Sequence, residues 1–170
     1  MPAAGRGSLE TETLIGFFVN MLVLRTNLRG DPPFCDLLAQ VREVALEAFC
    51  NADVPFAQLV EALNPVRSVS YHPIFQVVFA FVKAAAQSNR LGALEVSPYV
   101  VKNRTARFDL TLNLIEGAND RWTVELEYST ALFDHDGIMA ILNGYHSVLH
   151  TIVANPHLPL SGFFLESAGG

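Results

Sequence analysis

Catalysis needs a nucleophile or a metal, a proton carrier, and a group that steadies developing charge. Five histidines come first: His72, His135, His146, His150 and His157. His146 and His150 stand four residues apart, so on a helix both would face one metal ion. A zinc site asks for a third ligand and usually a carboxylate, as in H-E-x-x-H. Position 147 is Ser, and no Cys or acidic residue falls in the required register. No metal set follows, and the pair reads as two polar residues beside an apolar stripe. His135, inside Phe133-Asp134-His135-Asp136-Gly137, has the flanking carboxylates of a general base. Those carboxylates have a structural use instead: Asp134 stands where a helix cap belongs, and Asp136 falls in the first turn, where the dipole favours negative charge. Gly5-Arg6-Gly7 and Gly169-Gly170 lack the strand–turn–helix context of a phosphate loop. These residues name no catalytic group.

Two amides stand out for a different reason. Asn20 and Gln76 each interrupt a run that is otherwise apolar. A buried amide must find hydrogen-bond partners, either in neighbouring backbone or in a ligand or interface. Cys35 and Cys50 are separated by about 22 Å if the chain between them is helical, at about 1.5 Å per residue. That is too far for a disulfide, and a reduced, cytoplasmic protein is the simplest reading.

The elements that would position these residues follow from periodicity. Residues 1–13 have little pattern and read as a lead-in loop. Leu14 to Arg25 is dense in Phe, Val, Leu and Ile and reads as a buried strand. Asp31-Pro32-Pro33 opens a helix whose apolar stripe is Phe34, Leu37, Leu38, Val41, Ala45, Ala48 and Phe49, with Asp31 as cap. A shorter helix runs from Asp53 to Asn64-Pro65. Ile74 to Val82 reads as a buried strand, and a short strand is expected near Leu94 to Val101. Phe108 to Leu114 and Trp122 to Tyr128 alternate apolar with polar and predict a hairpin with one dry and one wetter face. Asp134 caps a long helix striped by Ile138, Ile141, Leu142, Tyr145, Val148, Leu149 and Ile152, which Asn155-Pro156 ends. Strands interleaved with helices indicate an α/β fold, a two-layer mixed sheet-and-helix sandwich.

Composition sets the bounds. With 170 residues the chain is long enough for one domain with a core. At 51% hydrophobic and 16% charged it is apolar, yet no run reaches the roughly 18 residues of a membrane helix. A net charge of −6 argues against nucleic acid, which demands clustered Lys and Arg. The apolar excess is the kind of surface that a lobe of a larger protein shows where its partner normally lies.

Several stretches together resemble the condensation domain of nonribosomal peptide synthetases. Ile15-Gly16-Phe17-Phe18-Val19-Asn20, with Arg25 after it, is similar to the family's fifth core motif. Asn51-Ala52-Asp53-Val54-Pro55-Phe56 resembles the sixth, and Arg67 to Val77, with Pro73 and Gln76, the seventh. Arg107-Phe108-Asp109-Leu110 and Glu127 to Phe133 resemble later signatures. The likeness runs in order from about Ala4 to Leu165. Met21 stands for the usual Thr, Ala52 for Gln and Ala57 for a common Glu, and each change loses a polar group.

The resemblance implies the C-terminal lobe of a V-shaped protein with a chloramphenicol-acetyltransferase-like fold. It divides the chain into a floor-loop-like segment at 1–13, the lobe at 14–165 and a tail at 166–170. It further implies that Asn20 and Gln76 face the substrate tunnel or the lobe interface, that Arg25 and Arg67 make structural ion pairs, and that 84–107 holds a latch. No cofactor is bound directly; the phosphopantetheine arms of carrier proteins bring the substrates. Implied partners are the N-terminal lobe, the carrier proteins and an adjacent adenylation domain, with self-association when the lobe stands alone. The family's catalytic His-His-x-x-x-Asp-Gly motif occurs nowhere in these 170 residues, so this lobe alone is expected to be inactive. The alternative is a non-catalytic carrier-docking module or pseudoenzyme half-domain. A complete small acyltransferase would need a His-x-x-x-Asp motif that the sequence lacks.

Overall fold

In the computed structural model, residues 1–5, 9–66, 68, 71–83, 90–96, 105–117 and 121–163 are described. Arg67, the 166–170 tail and most of the 84–107 stretch lie outside them. The chain forms two compact units. The first joins Met1–Asn64 to Phe133–Gly170, and the second is Pro65–Leu132.

The first unit begins with a strand where a loop is expected. β1 (Pro2–Ala4) pairs antiparallel with β2 (Val19–Met21), Ala3 facing Asn20, and the helical turn α1 (Leu9–Glu12) lies between them. Gly5 N–H donates to the Phe18 carbonyl at 2.8 Å, and a Cβ on Gly5 would clash with that oxygen, so only glycine fits. The long strand expected over Leu14–Arg25 shrinks to three residues, because a strand exists only where a neighbour completes its ladder. Ile15 and Phe17 are exposed, and Leu22 is buried.

α2 (Phe34–Cys50) starts after Pro33 and has no side-chain cap. Asp31 serves another purpose. It sits at φ 51° and accepts from the Ser161 N–H (2.7 Å) and hydroxyl (2.6 Å), tying the approach to α2 to the 3-10 turn at Leu160–Phe163. Those two bonds hold its carboxyl below the usual range. The Pro33–Pro159 bridge and the Phe34 N–H to Leu158 carbonyl bond run alongside. α3 (Phe56–Leu63) begins three residues later than Asp53, after Pro55, whose ring presets φ near the helical value. Asn64 ends it in the left-handed conformation. The stripe of α2 is only half covered: Phe34, Leu37, Val41, Ala45 and Ala48 are half-buried, while Leu38 and Phe49 are exposed.

α4 (His135–Ala154) follows the sequence closely. Asp134 Oδ1 accepts from the Gly137 N–H at 2.7 Å, and Asn155 closes the helix before Pro156. Ile138 is the buried member of its stripe.

The second unit is built on a three-stranded sheet. β3 (Val77–Lys83) runs parallel to β6 (Leu110–Glu116), which pairs antiparallel with β7 (Trp122–Tyr128). A small hairpin, β4 (Arg90–Leu91) with β5 (Leu94–Glu95), turns at Gly92 with φ 64°. The register puts Val77, Phe79 and Phe81 on one face with Leu110, Leu112, Leu114, Val124, Leu126 and Tyr128. Val78 and Ala80 share the other face with Thr111, Asn113, Glu125 and Glu127. A dry face and a wetter face therefore exist, but the dry one is the less covered along β3. Val78 is 3% exposed, whereas Val77 is 61% and Phe81 52% exposed.

The chain is thus of mixed α/β class. No helix among the described residues is long and apolar enough to cross a membrane.

Removing the α4 cap leaves the Gly137 N–H without its partner. Asp134→Ala should cost about 0.5–2 kcal/mol, measured by urea denaturation, and an unchanged midpoint would show that this cap contributes nothing.

Candidate functional site

In the first unit the motif residues converge on one amide. Asn20 lies on β2 and is half-buried. Its Nδ2 donates to the carbonyls of Ala52 (2.9 Å) and Val54 (2.7 Å). Its Oδ1 accepts from the N–H groups of Met21 (3.0 Å) and Phe56 (3.1 Å). An asparagine amide has two donors and two lone pairs, so all four positions are spent on backbone. The bonds hold the turn from Ala52 to Phe56, just before α3, against β2. Turns of this kind carry backbone groups that no ladder satisfies, and a side-chain amide is one of few groups able to serve donors and acceptors together. Pro55 and Phe56, matched to the sixth motif, are fixed by it. Met21 and Ala52, two of the departures from the motif, take part only through their backbones, so the loss of a polar side chain leaves these bonds intact.

Beside the turn lies an apolar cleft of about 250 Å³, lined by Met21, Leu22, Val23, Ala48, Val54, Phe56 and Leu59 among others. Gly16 lies near the Phe18 ring, 3.0 Å from where its Cβ would stand. Arg25 is exposed, and among the described residues it makes no ion pair, contrary to the structural pair expected of it. Its guanidinium stays in water because no carboxylate of the described residues comes within reach.

In the second unit the motif residues gather where β3 and β6 begin. Gln76 Nε2 donates to the His72 carbonyl at 3.2 Å. The Gln76 carbonyl accepts from the N–H groups of Asp109 (3.1 Å) and Leu110 (3.3 Å), and the Asp109 carbonyl accepts from Ser129 N–H at 3.0 Å. Phe108 packs against His72 and Phe75, with centroids 5.3 and 5.5 Å apart, and His72 lies 4.4 Å from Phe75. Pro73 sets the chain between these rings in a non-helical path. A cleft of about 300 Å³ opens here, lined by Tyr71, His72, Ala106, Arg107, Phe108, Asp109 and Ser129. Burial lowers the His72 pKa and favours the neutral ring. Residues bearing an imidazole, a carboxylate, a guanidinium and two hydroxyls line the cleft, so it is polar in character.

Sequence reasoning singles out Asn20, Gln76, Phe108 and Asp109 but gives His72, Tyr71 and Ser129 no role. The signal for Ser129 lies in the hairpin: pairing Leu110 with Tyr128 places the next residue of each strand end, Asp109 and Ser129, together. No three His, Cys, Asp or Glu side chains are grouped for a metal among the described residues. Cys35 and Cys50 are both free thiols.

A family model described as "Condensation domain" matches residues 1–168. The chain is 48% identical over 168 residues to a linear gramicidin synthase of Brevibacillus parabrevis, covering 95% of this chain and 3% of that protein. It is 39% identical to isonitrile lipopeptide synthase of Mycobacterium tuberculosis, covering 94% of this chain and 7% of that protein. Among solved structures it superimposes on the X-domain in its complex with OxyB from teicoplanin biosynthesis at a TM-score of 0.82 and 29% identity, over 98% of this chain and 37% of that one. A four-domain nonribosomal peptide synthetase bound to AMP and glycine shares the fold, at a TM-score of 0.84 and 22% identity over 93% of this chain and 13% of that one. The chain spans only a few per cent of the curated relatives it matches.

Asn20→Ala should cost about 1–3 kcal/mol, the penalty for half-buried groups left without partners. Gln76→Ala loses one local side-chain bond and should cost less, about 0.5–1.5 kcal/mol. Thermal unfolding measures both; equal melting temperatures for Asn20→Ala and the parent would refute the anchoring role.

Proposed function

The chain belongs to the condensation-domain family, and we propose that it is the C-terminal lobe of a nonribosomal-peptide-synthetase condensation domain. In that role it lines one side of a tunnel. There the amine of a downstream carrier-bound aminoacyl group attacks the carbonyl of an upstream carrier-bound thioester. The C–N bond forms, the C–S bond breaks, and the departing phosphopantetheine sulfur takes the proton that the amine loses. The observation that carries this reading is a 48% identical match, over 95% of the chain, to a peptide synthase of which it spans 3%.

The geometry supports the following roles within this reading. Asn20 positions the turn that presents Pro55 and Phe56. Gln76, through its backbone carbonyl, holds the Phe108–Asp109 corner beside the polar cleft. His72, Arg107, Asp109 and Ser129 are the groups able to meet the amide bonds of a pantetheine arm. Proton transfer is left to the His-His-x-x-x-Asp-Gly motif of the N-terminal lobe, since these 170 residues contain no such motif. Carrier proteins, the N-terminal lobe and an adenylation domain are the partners of this reading, and the cytoplasm is its compartment.

The sheet supports a missing partner. Val77, Phe81 and Trp122 are all exposed at or beyond 47% on one face of the sheet, at whose end Lys83 and Glu116 stand, and exposed large apolar side chains grouped in this way on soluble proteins mark interfaces. A second reading, a docking module without chemistry, draws on the likeness to an X-domain solved in complex with OxyB.

Loaded donor and acceptor carriers incubated with the 170-residue chain should give no dipeptide by mass spectrometry. The same lobe joined to one bearing the His-His motif should give dipeptide. Product from the chain alone defeats the proposal, and carrier binding without product from the joined lobes favours the docking module. The chain alone should also self-associate through its uncovered apolar surface; light scattering that finds only monomer at high concentration would count against that surface as an interface.

A further inference from the structure

His146 and His150 project from the middle of α4 into solvent, and neither lies in the clefts described above. Their Nε2 atoms stand 3.3 Å apart, with ring centroids at 4.5 Å and planes at 73°. Two ligands of a tetrahedral ion at about 2.0–2.1 Å from the metal are separated by about 3.3–3.4 Å. The rings therefore already hold the spacing of two coordinating nitrogens. We infer that His146 and His150 form a binding site for a borderline divalent transition ion, Zn²⁺ or Cu²⁺, held by two imidazoles and completed by water.

The helix supplies the preorganisation. Side chains four residues apart lie over one another on one face, and α4 runs unbroken from His135 through both histidines to Ala154. Binding therefore requires no backbone movement. The nitrogen-only donor set selects the metal class, because imidazole suits zinc, copper and nickel, whereas calcium and magnesium ask for oxygen ligands. No third His, Cys, Asp or Glu joins the pair among the described residues, so the remaining positions stay open to water. Such a site is exchangeable and weaker than a closed four-ligand structural zinc. With metal, the Nε2 lone pair of each ring faces the ion, which requires the tautomer that carries its proton on Nδ1.

A competing pair exists at the start of α2. Cys35 Sγ lies 3.6 Å from His157 Nδ1, but the half-buried thiol already donates to the Pro156 carbonyl at 3.1 Å. The test must separate the two places. Zinc chloride is titrated into the full chain under reducing conditions while imidazole resonances are followed by NMR. The His146 and His150 signals should shift and saturate at one equivalent. His146→Ala and His150→Ala should each weaken zinc binding at least fivefold by calorimetry, and His157→Ala should leave it unchanged. Circular dichroism checks that the helix persists, and His146→Gln, which keeps bulk and helicity, should lose binding as His146→Ala does. Unmoved His146 and His150 signals, a smaller loss in either variant, or a loss in His157→Ala alone would each overturn the site.

Discussion

A short strand and a capless turn leave backbone groups that no ladder or helix can satisfy, and in the first unit one side chain answers for four of them. Asn20 bonds the carbonyls of Ala52 and Val54 and the N–H groups of Met21 and Phe56. Few residues can do this. A carboxylate would meet two carbonyls with negative charge, and a hydroxyl has only one donor. β2 spans three residues, so its pairing with β1 alone gives little rigidity. The amide makes the turn before α3 part of the same framework, and Pro55 and Phe56 inherit their places from it.

In the second unit the corresponding constraint is register. Period-two alternation puts the aromatic residues of β3 on the same face as the leucines of β6. Slipping by one residue would exchange that face for the one bearing Thr111, Asn113, Glu125 and Glu127. The parallel pairing of β3 with β6 also brings the Gln76 carbonyl to the N–H groups of Asp109 and Leu110, which builds the corner where the polar cleft opens. An apolar face that remains exposed along β3 and a polar cleft at the strand ends both follow from this register.

Strongly patterned elements are legible in the sequence. α4 has a capping Asp134, a stripe and a terminating Asn155-Pro156, and the hairpin of β6 and β7 has clean alternation. Elements whose existence depends on a distant neighbour are not. β1 carries only Pro2, Ala3 and Ala4, which have no strand pattern of their own, and it is a strand only because β2 accepts it. Asp31 looks like a helix cap in one dimension, but Ser161, 130 residues away, claims its carboxylate. The His72 cleft escapes a linear reading for the same reason, since its walls come from residues 71–72, 106–109 and 129.

By itself the sequence determined the class of elements, the presence of two interrupting amides and the ordered motifs that mark the family, because these are properties of neighbours along the chain. Only the tertiary structure decided that the Asn20 amide is spent entirely on backbone, that β3 lies parallel beside β6, and that the driest sheet face is the less covered one along β3. Those outcomes depend on which distant groups come within hydrogen-bond reach, about 3 Å, and no local pattern encodes such a meeting.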